Sequence, residues 1–213
     1  NFITFPLLFF YLLSNYKKGK WVSFKIGWLF GFGYFISNLY WITNSLKFDD
    51  SFKPLIPFAL ILIPLFLGIF YGFVTILSYY LKLEKNFTSL LIFSILFSLI
   101  EYIRSFIFGG FPWNLIVYSL TEYLQFIQIL SIIGTYSLNL LCITFFLLPS
   151  IIFFKYKNKT KIFSIILATL ILVINFIYGE KVIKKFQDIE KEDLDYKIRI
   201  ISPNIKIDRF LKN

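Results

Sequence analysis

The sequence contains no histidine, no methionine and a single cysteine, Cys142. Without histidine, a Ser-His-Asp triad, a Cys-His pair and the usual zinc sites are excluded, and one cysteine cannot form a disulfide within the chain. Gly31 and Gly33 do not form a phosphate-binding loop, because no strand precedes them and no Lys or Ser/Thr follows in register. The sequence therefore offers no complete catalytic set, no metal site and no cofactor motif, and the missing methionine predicts that it is part of a longer chain.

Charged residues are also scarce, at 16% of the chain, whereas hydrophobic residues make up 58% and the mean hydropathy is +0.73. A globular core of 213 residues could not bury so much apolar surface. The net charge of +10 lies in short clusters between apolar runs and not on one continuous face, which argues against nucleic acid as a partner. The composition predicts a membrane protein.

The apolar runs predict an all-α polytopic membrane helix bundle over residues 1–179, with about six spanning segments of which the first is partial. We expect the third span to start near Pro64 and the fifth near Leu130, after an interfacial approach. Within the second run, Gly27 and Gly31 are spaced for close helix approach. The six runs are 1–16, 26–46, 54–81, 86–108, 123–154 and 162–178.

Lysines cluster in alternate connections, which predicts the orientation of the bundle. There is no such excess of lysine over acidic residues in the connections after the second and fourth runs or in the stretch after the sixth. We therefore expect these connections and the C-terminal tail to lie outside the cytoplasm. The lysines after the first, third and fifth runs are Lys17, Lys18, Lys20, Lys25, Lys82, Lys85, Lys155, Lys157, Lys159 and Lys161.

The composition changes after Gly179. Residues 180–195 read as a charged linker, and 196–201 alternate polar and apolar residues as a half-buried strand does, before a turn at Ser202-Pro203. One strand cannot fold alone, so residues 196–213 are expected to begin a second, α/β domain that is truncated here.

One apolar run carries two opposite charges before it breaks at Gly109-Gly110. Glu101 and Arg104 share a helix face, and each would cost about 2.5–3.5 kcal/mol at a membrane centre unless it is paired or faces a cavity. The pair and the following Trp113 could be a packing ion pair with an aromatic-belt residue, or the polar wall and rim of a lipid-accessible cavity. Both interpretations remain open from these residues alone.

Four stretches, taken in order, point to a known family. They are Gly27-Trp-Leu-Phe-Gly31-Phe-Gly33 with Asn38-Leu-Tyr-Trp41; Glu101-Tyr-Ile-Arg104 with Gly110-Phe111-Pro112-Trp113-Asn114 and Tyr118; Gly134-Thr-Tyr136-Ser-Leu-Asn139; and Ile198-Arg-Ile-Ile-Ser-Pro203-Asn204-Ile205. Over nearly the whole chain this order resembles the amino-terminal part of the apolipoprotein N-acyltransferases. The last stretch departs from the family pattern at Ser202, where a Gln is expected.

The resemblance implies a membrane bundle that carries a periplasmic nitrilase-like domain in the bacterial inner membrane. In that family a cysteine takes an acyl chain from a phospholipid as a thioester, and the terminal amine of a diacylated lipoprotein then attacks it, with a Glu as base and a Lys at the oxyanion. None of these three lies in the matching stretches, so the chain alone is expected to be inactive. The resemblance implies that the following residues contact the lipid: Glu101, Arg104, Phe111, Pro112, Trp113 and Tyr118.

Two other functions are compatible with the sequence. A transporter-like bundle could use Glu101 and Arg104 as part of a polar path, although no half of the chain repeats the other. An inert product of a split gene is the third interpretation. Cys142, in the middle of an apolar run, is expected to be a packing residue. Asn139 could line a cavity, but the more common role of such a residue is an inter-helical hydrogen bond.

Overall fold

A computed structural model of the chain describes residues 1–107, 112–189 and 199. The expected strand at 196–201, apart from Arg199, and the residues Gly109, Gly110 and Phe111 lie outside the described part. Eight α-helices lie within these ranges: α1 Thr4–Ser14, α2 Lys20–Leu39, α3 Ile56–Tyr80, α4 Phe87–Arg104, α5 Leu124–Ile127, α6 Leu130–Ile133, α7 Thr135–Leu147 and α8 Asn158–Ile189. Segments of 3₁₀-helix connect them at Tyr16–Lys18, Tyr40–Lys47, Asp50–Leu55, Ile116–Leu120 and Leu148–Phe153.

Within the described residues, four segments are long and apolar enough to cross a membrane: Asp50–Tyr80, Phe87–Arg104, Thr135–Phe153 and Asn158–Asp188. The six expected crossings are thus established only in part. The first, α1, has 11 residues. The second, α2, has 20 residues but is not among the four, since it includes Lys20 and Lys25 together with several Gly, Ser and Asn residues.

Helix α3 begins at Ile56, because Pro57 lies in the first turn, where an amide donor is not needed. The turns before Pro64, which were expected to lie at the interface or to be kinked, are therefore helical, and the start of the span near Pro64 stays a prediction. Two other predicted boundaries were wrong, each for a local reason. Helix α7 begins at Thr135 and not near Leu130, since Gly134 adopts a φ of +76° and separates it from the short helix α6. Helix α2 ends at Leu39, and the rest of the predicted run forms the 3₁₀ segment Tyr40–Lys47.

Helices α2 and α3 approach each other closely through glycines. A Cβ built on Gly31 would lie 2.8 Å from the Gly68 Cα, and one built on Gly68 would lie 2.8 Å from the Trp28 carbonyl oxygen. At Gly27 a Cβ would overlap the Tyr71 backbone. The close approach predicted from Gly27 and Gly31 is confirmed, and it brings Tyr71 of α3 toward the bundle interior.

The lysine-bearing connections meet at one end of the bundle. The Tyr16 hydroxyl accepts a hydrogen bond from the Leu83 amide at 2.8 Å, and the Tyr156 hydroxyl accepts one from the Phe87 amide at 2.9 Å. The first bond joins the connection after α1 to the connection between α3 and α4. The second bond joins the start of α4 to the connection before α8. The three connections that carry the lysines therefore adjoin one another.

The other end holds the segment between α4 and α7. Helix α8 reaches this end, where the Asn175 side chain donates to the Phe126 carbonyl at 3.1 Å and Gln125 donates to Glu180 at 3.3 Å. The helix continues to Ile189, so the first ten residues of the expected linker extend the last helix. Between the two ends, a phenylalanine-rich core includes Phe5, Phe9, Phe35, Phe93 and Phe97.

Candidate functional site

The Glu101 carboxylate joins three helices near the last turn of α4. Its side chain is fully buried. Its Oε1 accepts a hydrogen bond from the Tyr71 hydroxyl of α3 at 2.8 Å, and its Oε2 accepts one from the Asn139 amide of α7 at 2.5 Å. A buried carboxylate with short hydrogen bonds from two helices holds them in one arrangement.

Arg104 lies one helical turn after Glu101 and is also buried, with 1% of its surface exposed. Its Nη2 is 3.7 Å from Glu101 Oε1, its Nη1 donates to the Trp113 carbonyl oxygen at 3.1 Å, and its guanidinium carbon lies 5.3 Å from the centre of the Phe35 ring. The expected i, i+3 ion pair is thus present, and protein groups surround it.

The segment that follows α4 is fastened to the bundle through its backbone. The Val117 amide donates to Asn139 Oδ1 at 2.9 Å, and the Tyr34 hydroxyl of α2 donates to the Asn114 carbonyl oxygen at 3.2 Å. The Trp113 indole stacks on Trp41, with ring centres 5.3 Å apart and planes 27° from parallel. These contacts connect residues 113–117 to a polar cluster and hold them in position. The cluster consists of Tyr71, Glu101, Arg104 and Asn139.

The predicted site residues separate into two groups. Glu101 and Arg104 are enclosed, and neither lines the two cavities described below. Pro112, Trp113 and Tyr118 are exposed, Trp113 by 49% and Tyr118 by 42%. Phe111 lies outside the described residues.

The first cavity, of about 610 Å³, lies between the start of α1, the second half of α2 and residues 114–119. Its lining is partly polar and includes Tyr118. Partial burial raises the pKa of the Tyr118 phenol above its usual value, so this hydroxyl remains a hydrogen-bond donor at neutral pH.

The second cavity, of about 710 Å³, lies between α7 and α8 and is lined almost entirely by apolar side chains. Cys142 contributes to its wall but is 4% exposed, and its Sγ lies 3.9 Å from the Ile116 carbonyl oxygen. This placement fits the packing role expected for Cys142. No group of three potential metal-binding side chains occurs among the residues described by the structure.

Sequence reasoning missed two members of this site. The Tyr71 hydroxyl donates a hydrogen bond to Glu101, and the Tyr34 hydroxyl donates one to the Asn114 carbonyl oxygen. In the sequence, however, each is one of 14 tyrosines in an aromatic-rich chain. A tyrosine hydroxyl in the interior of an apolar run was the available signal, because such a group needs a partner once it is away from water. Asn139 did carry that signal, and its expected inter-helical role is confirmed.

Comparison with known proteins identifies a family for most of the chain. The family described as "Apolipoprotein N-acyltransferase N-terminal domain" matches residues 1–148. No solved structure matches the chain at a significant level.

Several curated relatives, each named apolipoprotein N-acyltransferase, are similar to most of the chain. The protein of Rickettsia typhi is 37% identical over 209 residues, which are 96% of this chain and 40% of the relative. That of Rhizobium rhizogenes is 34% identical over 187 residues, 84% of this chain and 34% of the relative. That of Brucella melitensis is 31% identical over 213 residues, 96% of this chain and 39% of the relative.

The chain thus spans between 34% and 40% of the length of these relatives. The matched residues include α1 to α7, and with them all four members of the buried polar cluster. On this evidence the chain belongs to the apolipoprotein N-acyltransferase family and contains the family's N-terminal membrane domain.

Proposed function

We propose that this chain is the membrane part of an enzyme that transfers an acyl chain from a phospholipid to the N-terminal amine of a diacylglyceryl-cysteine lipoprotein. The observation that carries the proposal is the family match over residues 1–148, which covers the helices that build the polar cluster. Both substrates, the phospholipid and the lipid-anchored protein, are held in the membrane by acyl chains, in agreement with the apolar helices of the chain. The chain would act in the bacterial inner membrane.

The exposed residues of the segment after α4 would form the rim that lipid contacts. Trp113 is half exposed although its backbone carbonyl is held by Arg104 and its ring stacks on Trp41. A rigidly held, exposed indole is suited to the membrane interface, where an apolar ring meets polar headgroups. In this proposal Pro112, Trp113 and Tyr118, together with Phe111, face lipid, while Glu101 and Arg104 position them from behind.

The rim would lie on the periplasmic side. The lysine-bearing connections adjoin one another at the opposite end of the bundle, which supports a cytoplasmic position for that end. Residues 180–195 would then continue outward to a nitrilase-like domain that begins at 196. The contact between Gln125 and Glu180 supports this course, because it holds α8 at Glu180 near the segment that follows the rim.

Reporter fusions test this orientation. Alkaline phosphatase fused after Glu180 or within residues 121–123 is expected to be active, since the enzyme matures only outside the cytoplasm. A fusion after Lys157 is expected to be inactive and serves as the matched control. If the Lys157 fusion is active and the Glu180 fusion is inactive, the bundle has the opposite orientation. The proposed rim would then lie on the cytoplasmic side, which contradicts the proposal.

The chain by itself would not catalyse acyl transfer. The proposed chemistry needs an accessible thiol, and the single cysteine of the chain is buried against the Ile116 carbonyl. We therefore expect the 213-residue chain to fail to complement a bacterial strain depleted of its N-acyltransferase. A chimera in which residues 1–189 replace the corresponding part of the Rickettsia typhi relative is expected to restore growth.

The intact Rickettsia typhi relative is the control in this experiment. Growth supported by the 213-residue chain alone would contradict the assignment of catalysis to another part of the enzyme. A chimera that is made and inserted in the membrane but supports no growth would contradict the proposed function of the helices.

The transporter interpretation gains no support from the structure. A polar path would expose Glu101 and Arg104 to a water-filled cavity, whereas the two residues are 0% and 1% exposed and bonded to protein groups. Their arrangement suits a positioning role.

A further inference from the structure

The lysine-bearing end of the bundle has a strong excess of positive charge. Residues 15–25, 81–87 and 154–161 include ten lysines and one acidic residue, Glu84. All ten lysines are exposed except Lys161, which is partly buried. The ion pairs found in the described part of the chain involve none of them. Positive charge that is exposed and has no acidic partner within the protein attracts anions from outside it.

Four of these lysines come from two separate connections that meet. The Tyr156 hydroxyl accepts a hydrogen bond from the Phe87 amide, which joins the connection before α8 to the start of α4. Lys85 lies two residues before Phe87, and the other three lysines lie within five residues of Tyr156. The four lysines, Lys85, Lys155, Lys157 and Lys161, are named the basic cluster below.

Two ammonium groups of the basic cluster are held in place by uncharged groups. Lys161 Nζ donates to the Ile152 carbonyl oxygen at 3.0 Å, and Lys85 Nζ lies 4.5 Å from the centre of the Phe10 ring. The Phe10 ring in turn lies 4.5 Å from the Phe153 ring, measured between ring centres. An ammonium group has three donors, so the bond to Ile152 leaves Lys161 two donors for an anion.

The basic cluster lies at the level where three of the segments that can cross a membrane have one terminus. These segments are Phe87–Arg104, Thr135–Phe153 and Asn158–Asp188. At the same level Ile152 and Phe153 are 67% and 42% exposed, and in a bilayer such apolar side chains face acyl chains. Helix α8 also begins here, so the positive end of its dipole adds to the charge of the lysines. Cations beside exposed apolar side chains match the two parts of a phospholipid.

The charge of the basic cluster selects the headgroup. Lysine binds phosphate as a point charge, and lysines beside a membrane surface are attracted to anionic phospholipids. A zwitterionic headgroup such as phosphatidylethanolamine has an ammonium group of its own, which the lysines repel. The cluster therefore favours a phospholipid whose headgroup has a net negative charge.

We propose that the basic cluster, together with Ile152 and Phe153, binds one anionic phospholipid of the bilayer. Its phosphate contacts the ammonium groups, and its acyl chains lie along the two apolar side chains. Only 6% of the most apolar part of α8 is buried within the protein, so a phosphate shared by Lys85 and Lys161 adds a link between α8 and α4. The site lies at the opposite end of the bundle from the proposed rim, and it does not depend on the proposed function.

Native mass spectrometry of the 213-residue chain tests the proposal. Phosphatidylglycerol and phosphatidylethanolamine with identical acyl chains are titrated separately against the chain in detergent, and the dissociation constants of the first bound lipid are compared. We expect phosphatidylglycerol to bind about 10-fold more tightly, because each lysine near the headgroup favours the anionic lipid. Equal affinity for the two lipids would contradict the proposal.

Two substitutions within the basic cluster separate a defined site from general attraction. Lys85→Gln/Lys161→Gln is expected to weaken phosphatidylglycerol binding about 10- to 30-fold, the range for losing two lysines beside an anionic lipid. Lys85→Arg/Lys161→Arg keeps the charge and should retain the binding. Circular dichroism checks that these variants keep their helix content.

Lys17→Gln/Lys18→Gln is the matched control, because it removes the same charge from exposed lysines at the same end of the bundle. Charges outside the site are screened by salt, so the affinity should fall less than about 3-fold. If this control weakens binding as much as Lys85→Gln/Lys161→Gln does, the charge of the whole end attracts the lipid and the proposed site is wrong.

Inorganic phosphate distinguishes a lipid site from a site for free phosphate. It has the charged group but no acyl chains, so at equal concentration it should not displace phosphatidylglycerol. Displacement under these conditions would overturn the proposal. Lipid affinity is measured here and growth in the chimera experiment, so either proposal can fail without the other.

Discussion

Replacing Glu101 by Gln is expected to lower the free energy of unfolding by about 3–5 kcal/mol, the range for removing one partner of a buried ion pair. Glutamine preserves the shape of the side chain but leaves the buried Arg104 guanidinium without its neighbouring negative charge. It also places an amide NH₂ where two donors, from Tyr71 and Asn139, now converge on the carboxylate. Unfolding in mixed micelles with increasing dodecyl sulfate, followed by circular dichroism, measures the change.

Glu84→Gln is the matched control for this prediction. Glu84 is exposed in the connection before α4, and the same substitution there is expected to change the free energy of unfolding by less than about 0.5 kcal/mol. In a Glu101→Gln/Arg104→Gln chain, part of the loss should return, because no buried charge remains. Equal effects at Glu101 and Glu84 would show that the ion pair has no role in holding the bundle.

Replacing Asn139 by Leu is expected to cost about 2–4 kcal/mol, because two buried groups lose their partner at once. The Asn139 amide donates to Glu101, and its carbonyl oxygen accepts from the Val117 backbone amide. Leucine has a similar volume, so a cavity contributes little to this estimate. The Val117 amide proton should then exchange with deuterium about a hundredfold faster, as expected for a loss of roughly 3 kcal/mol in local stability.

Asn38→Leu provides the comparison on another helix. Asn38 is exposed, and its amide donates to the Tyr34 carbonyl within α2, so the free energy of unfolding should change by no more than about 0.5 kcal/mol. Exchange at Val117 should be unaffected. If Asn139→Leu leaves exchange at residues 113–117 unchanged, the polar cluster does not hold this segment, and the positioning role proposed for Glu101 and Arg104 fails with it.

Parts of the fold followed directly from residue pattern. The glycine spacing at Gly27 and Gly31 predicts close helix contact in any bundle, because only hydrogen atoms project from these positions. The helix boundaries were less predictable. Pro64 lies inside the continuous helix α3, where it is buried against neighbouring parts of the bundle, and such packing cannot be read from one apolar run of the sequence. A glycine at 134, with its positive φ, determined the start of α7 more strongly than hydropathy did.

The sequence predicted the charged residues of the candidate site but not all of its neutral residues. Glu101 and Arg104 were evident, because ionised groups are rare in apolar runs and a spacing of three places them together. Tyr34 and Tyr71 were hidden among many tyrosines, and only the crossing of α2 and α3 brings their hydroxyls to the cluster. Of the two interpretations left open for the charged pair, its burial and its contacts with protein groups fit the packing ion pair.

The sequence by itself determined that this chain is a helical membrane protein, that its basic connections alternate, and that one pair of opposite charges lies within an apolar run. These properties depend on composition and on spacing along one chain, and local physical chemistry is sufficient to interpret them. Only the tertiary structure decided what the charges do, because the Glu101 carboxylate of α4 bonds to Tyr71 of α3, 30 residues earlier, and to Asn139 of α7, 38 residues later, and the spacing within any one helix does not indicate these contacts.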